Sequence, residues 1–118
     1  MRRYRARRRA AGLRAVASWQ PRSARDHVLA KAELIRSLAK AHGALSIELF
    51  GSAARGEDRS DSDIDLMVEL EQGRSLLDLI GLSEDLQAAL GRRVEAVSKP
   101  AMKPRVLARA RKEAIRIV

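Results

Sequence analysis

Gly51 to Leu66, GSAARGEDRSDSDIDL, is the stretch on which the fold turns. It joins a small-residue turn to a run in which acids alternate with other residues. Asp61, Asp63 and Asp65 sit two apart, and the apolar run Ile64-Asp65-Leu66-Met67-Val68 begins at their end. Side chains at i and i+2 of a strand share a face, so a strand here points Asp63 and Asp65 the same way. Two acids side by side repel unless a positive charge lies between them, which makes the pair a candidate cation site.

Upstream, Leu45 to Phe50 (LSIELF) alternates apolar and polar residues, and the pattern predicts a strand with Leu45, Ile47 and Leu49 on one face. It runs directly into Gly51-Ser52. Before it, Val28, Leu29, Ala32, Leu34, Ile35, Leu38 and Ala39 recur at helical spacing. They predict one helix, capped by Ser23 or Asp26 and stopped by Gly43. His27 and His42 fall at its two ends and read as surface residues, too far apart to share a metal. One helical turn is expected around Ala53–Arg55, and a second strand over Asp63–Leu70.

Downstream, Ser75 opens an apolar helix that Gly81 interrupts and Gly91 ends. A short third strand is expected over Arg93–Ser98. Pro104 suits the first turn of a last helix, Lys103 to Lys112, and a terminal apolar segment, Ile115 to Val118, is a further possible strand. The sum is a small α/β (α+β) domain, with a mixed sheet of three to four strands flanked by helices.

Length and composition bound the rest. The 118 residues suffice for one domain, and no cysteine is present for disulfides or thiolate metal sites. No apolar run approaches the ~20 residues of a membrane span. A soluble, cytoplasmic protein is the default expectation. The net charge of +9 is local: residues 1–25 hold nine arginines and no acid, and the remainder is balanced. Residues 1–22 therefore read as a basic, disordered arm and residues 23–118 as the domain. The arm is the only feature that points to nucleic acid, through phosphate contacts.

The chemistry concentrates in the turn. Gly51 lets backbone approach a ligand closely, Ser52 offers a hydroxyl, and a helical turn after them presents N–H groups to an anion. Arg55 could add a charged fork to the same anion. Asp63 and Asp65 offer hard oxygen ligands suited to magnesium. A phosphate cradle facing metal-binding carboxylates is what nucleotidyl transfer requires. Either half alone reads as a common turn or a solvated acidic loop; the two together, ten residues apart, are harder to dismiss.

LFGSAARGEDRSDSDIDLMVE resembles the signature of minimal nucleotidyltransferases in the DNA polymerase beta-like superfamily: Gly-Ser, a spacer of about ten residues, then Asp-x-Asp. The resemblance covers about residues 24–118. It implies that Gly51 and Ser52, with Arg55, hold the nucleotide triphosphate, and that Asp63 and Asp65 ligate two Mg2+ ions. It also implies a third carboxylate on the next core strand, and the matching residue is Glu95, where the family has Asp. The longer side chain moves the carboxylate by about 1 Å, a displacement that can cost on the order of 100-fold in rate. Asp61 lies outside the motif, and Arg59 reads as solvated.

The resemblance further implies transfer of AMP from ATP to a hydroxyl. The domain is too short for an acceptor-binding domain, so the acceptor is expected on a separate protein. Stand-alone proteins of this kind resemble the antitoxin that adenylylates a tyrosine of a HEPN-domain ribonuclease toxin. The alternative is a catalytically weak antitoxin of the same fold that acts by binding its partner. Oligomeric state is left open.

Overall fold

The computed structural model describes residues 23–59 and 61–118. The basic arm, residues 1–22, lies outside the described residues, and so do the expectations attached to it. Helices α1 (Ala24–Ala30) and α2 (Ala32–Ala41) lead into strand β1 (Ala44–Phe50), followed by the short helix α3 (Gly51–Arg55). Then come β2 (Ile64–Leu70), α4 (Leu76–Leu90), β3 (Val94–Ser98), a 3-10 turn at Lys99–Ala101, α5 (Pro104–Glu113) and β4 (Ile115–Arg116). No helix among the described residues is long and apolar enough to cross a membrane.

The four strands form one mixed sheet in the order β3-β2-β1-β4. β1 and β2 pair antiparallel, whereas β2 and β3 run parallel through the α4 crossover. The C-terminal segment is indeed a strand: Ile115 pairs with Leu49 and Arg116 with Glu48. One sheet face is apolar. Ile47, Leu49, Ile64, Leu66, Val68, Val94 and Ile117 lie buried there with Val28, Ile35, Leu82 and Leu86 of the covering helices. The other face carries the alternate residues of β1 and β2, with Phe50 opposite Asp65 and Glu48 opposite Met67. Period-2 alternation thus sorts the core onto one face and the chemistry onto the other.

Several expectations need correction. The single helix from Ser23 to Gly43 is two helices, broken at Lys31 with φ −108° and ψ 22°. No proline or glycine lies at the break, and tertiary contacts account for it. The His27 ring bonds the Leu90 carbonyl at 2.8 Å, and the Ala24 N–H donates to Asp58 Oδ2 at 3.2 Å. These contacts aim α1 at the end of α4 and at the loop before β2, while α2 packs against β1. The second correction concerns Leu45, which is 55% exposed rather than core. The β1–β2 register shifts between Ala44 and Ser46, and that irregularity rotates Leu45 out of the alternation.

The histidines are partly buried and partnered, not free surface residues. His42 Nε2 lies 2.7 Å from Asp85 Oδ2. Gly81, a weak point in the sequence reading, explains how α4 and His42 fit: a Cβ there would meet the ring 2.9 Å away. The helix persists through that glycine because a capping box of Ser75 and Asp78 secures its start. Its Leu79, Leu82, Leu86 and Leu90 are buried.

Candidate active site

β1 ends at Phe50 and the chain turns at once into α3, so Gly51 and Ser52 sit at the end of a central strand. Gly51 has φ +76°, which favours glycine, and a Cβ there would lie 2.6 Å from Asp65 Oδ2. The glycine is therefore required twice, by its backbone and by the carboxylate beneath it. Ala53 and Ala54 are buried against the core, and their small size seats α3 on the sheet. Gly56, with φ +76° in the left-handed region, closes the helix.

Asp65 pairs with Phe50 on one side and, in the parallel register of β2 and β3, with Glu95 on the other. Adjacent strands lie about 4.8 Å apart, so the two carboxyl side chains are neighbours on one face. Burial chiefly, then the charges of Glu95 and of Asp63, push the Asp65 carboxyl up to about 6, while Arg55 pulls the other way. Asp63 precedes β2 rather than starting it, and its Oδ1 lies 3.3 Å from Arg93 Nε. Glu95 is exposed. Among the described residues no group of three or more His, Cys, Asp and Glu side chains is gathered into a ready-made metal centre.

Gly51, Ser52, Asp63, Asp65 and Glu95 thus lie together at one end of the sheet. Arg55 comes close but is already engaged. Its Nε donates to Glu57 at 2.9 Å, and its Nη1 donates to both oxygens of Glu113 at 3.1 and 2.9 Å. Glu113 Oε2 also accepts the Gly51 N–H at 2.8 Å.

Three residues of the site were missed in the sequence. Glu113 is one: it is the single acid of a basic helix, and only the pairing of β4 with β1 brings it to the turn. The others are Arg92 and Asp58. Arg92 Nη1 donates to Asp58 Oδ2 at 3.3 Å, and its Nη2 donates to the carbonyls of Arg59 at 2.8 Å and Ser62 at 2.6 Å. The Asp58 side chain is 5% exposed. Together they hold the loop that delivers Asp63, from a point 30 residues downstream that no local pattern announces. Further along the same face, a cavity of about 280 Å3 is lined by Glu69, Lys99, Pro100, Leu107 and Arg111. Glu69 is four residues beyond Asp65, or ~13 Å at strand rise, so the cavity is separate from the carboxylates.

Residues 31–117 match the Nucleotidyltransferase domain family. The chain belongs to that family. It is therefore an enzyme of the nucleotidyltransferase class, built on that family's mixed α/β fold. It is 44% identical over 68 residues to the protein adenylyltransferase MntA of Thermococcus cleftensis, covering 58% of this chain and 69% of that protein. Among solved structures, a candidate minimal nucleotidyltransferase superposes with TM-score 0.70 and 44% identity, over 77% of this chain and 93% of the other. A complex from Shewanella oneidensis, a tri-AMPylated HEPN toxin with its MNT antitoxin, shares the fold with TM-score 0.59 at 18% identity, over 77% of this chain and 71% of the matched one.

Proposed function

We propose that this nucleotidyltransferase moves AMP from ATP to a hydroxyl on a partner protein, and that the partner is a HEPN-type toxin it silences. The observation that carries the reading is the fit of the Gly51 turn over Asp65, with Glu95 as cross-strand neighbour. It sets the backbone of the Gly-Ser turn directly against the Asp65 carboxyl, with Glu95 beside it. The acceptor oxygen forms a bond to the α-phosphorus, the bond from that phosphorus to its bridging oxygen breaks, and pyrophosphate leaves with the electron pair. Ser52 is assigned to the triphosphate, and Glu95, the most exposed carboxylate, to the acceptor side, where it can take the hydroxyl proton. The MntA relative and the MNT–HEPN complex support a protein acceptor.

Asp63, Asp65 and Glu95 would hold Mg2+. Their hard oxygens suit that ion, and a cation there would offset the burial and the neighbouring Glu95 and Asp63 charges that raise the Asp65 carboxyl. Magnesium bound there would neutralise charge on the triphosphate and on the leaving pyrophosphate. The test incubates the chain with a HEPN-type partner, labelled ATP and Mg2+. Label on a partner tyrosine is expected. A chain that binds ATP yet leaves the partner unlabelled would sink the protein-modifying reading.

One observation favours a second reading, an antitoxin that neutralises by contact. Glu95 stands exposed where the family pattern has the shorter Asp. The variant Asp63→Asn/Asp65→Asn separates the two, since it abolishes neutralisation if chemistry is needed and spares it if contact suffices.

A further inference from the structure

We propose that Glu113 is the positioning residue of the Gly-Ser cradle, acting through the Gly51 N–H to fix the turn relative to Asp65; this deepens the adenylyl-transfer reading and rests on it. Glu113 Oε2 accepts from Gly51 N at 2.8 Å across 62 residues of sequence. The same carboxylate receives both bonds from Arg55 Nη1, which closes the far side of α3. The anchor behind it is firm. Glu113 is the last residue of α5, and two residues on, Ile115 pairs with Leu49, two residues before Gly51. The Glu113 backbone is therefore tied to the strand that carries the turn, and its side chain is only 19% exposed.

The need for such a hold follows from the spacing on the other side of Gly51. A Cβ there would meet Asp65 Oδ2 at 2.6 Å, so turn and carboxylate are in close contact and any slip of the turn alters the gap between phosphate and carboxylates. Displacements of about 1 Å in a reacting geometry cost on the order of 100-fold in rate. Glu113 also takes two groups, the Gly51 N–H and Arg55, out of the set that could grip the triphosphate. Ser52 and the N–H groups after it are left for that task.

Two conservative variants separate reach from charge. Glu113→Gln keeps the length and an acceptor for the Gly51 N–H but loses the charge; Glu113→Asp keeps the charge and is one methylene short. The readouts are kcat and KM for ATP in the labelling assay, and amide exchange of Gly51 by NMR. Glu113→Gln is expected to hold kcat within about 3-fold and to keep Gly51 protected. Glu113→Asp is expected to lose about 10-fold or more in kcat, with KM for ATP moving by less than about 3-fold and faster Gly51 exchange. If Glu113→Asp matches or exceeds Glu113→Gln, the ion pair with Arg55 is all that matters and the proposal is overturned. It is also overturned if neither variant changes kcat, or if both bind ATP more tightly, since the carboxylate is then a stand-in that phosphate displaces. Should the wild type label no partner at all, adenylyl transfer to that partner fails, and Gly51 exchange in the two variants still decides the role of Glu113.

Discussion

Asp65→Asn should make the protein more stable while removing its activity. With the Asp65 carboxyl raised from 3.8 to about 6, the folded state holds its proton more tightly than the unfolded chain does. Between those two values the native state binds more protons, so stability falls as pH rises from about 4 to about 6 and stays lower above that. A shift of two units corresponds to at most about 3 kcal/mol. Water reaching the partly exposed carboxylate reduces the expected gain from neutralising it to about 1–2 kcal/mol. In a domain of this size that raises Tm by roughly 5–15 °C at pH 7.5. The assay is thermal unfolding of the wild type and of Asp65→Asn from pH 4 to 8, with and without Mg2+. The variant's advantage should vanish near pH 4, where the wild-type carboxyl is protonated. Added Mg2+ should stabilise the wild type at neutral pH by binding its folded state, and leave the variant unmoved. A variant no more stable than the wild type at pH 7.5, or an advantage that persists at pH 4, would refute the idea that burial and the neighbouring Glu95 and Asp63 charges strain the ionised Asp65 carboxyl.

Other predictions follow from the same geometry. Glu95→Asp restores the shorter carboxylate opposite Asp65 and should raise kcat by about 10-fold or more, read in the labelling assay, with little change in KM for ATP. Arg93→Ala frees Asp63 from its 3.3 Å partner and should tighten Mg2+ binding several-fold by calorimetry; unchanged affinity would show that the salt bridge does not compete. Arg92→Ala leaves the buried Asp58 carboxylate unpaired and releases two loop carbonyls, so it should cost about 3 kcal/mol in urea unfolding.

The parts of this protein legible in its sequence are those written in local periodicity. The alternation of Ile47 and Leu49 and the spacing of Leu79, Leu82, Leu86 and Leu90 in α4 state which face is buried, and those residues lie in the core, whereas Leu76, Leu77 and Ile80 of the same apolar helix are exposed. The Gly-Ser turn and the aspartates were legible because the chemistry needs particular residue types at short spacing. What escaped was set by contacts between distant segments. Lys31 breaks a helix whose sequence carries no breaker, because His27 is bound at Leu90 and Ala24 at Asp58. Leu45 leaves the core because a register shift, not its neighbours, decides its direction.

Glu113 shows most clearly why the site is only half visible in the motif. Its sequence neighbours Arg111 and Lys112 mark a basic, solvated helix end, and an acid there reads as an incidental counter-charge. Its meaning depends on β4, a strand of two residues with almost no pattern of its own. Yet pairing Ile115 with Leu49 brings Glu113 to the start of α3, where it binds both Gly51 and Arg55. Arg55 was assigned to the triphosphate because its chemistry allows that, but the structure commits it to Glu57 and Glu113. A small domain has few elements with which to brace a catalytic turn, and here the C-terminal strand and its preceding glutamate perform that task. The motif carries Gly51, Ser52 and the aspartates; Glu113 and β4 tie the turn that holds the first two to the central strand.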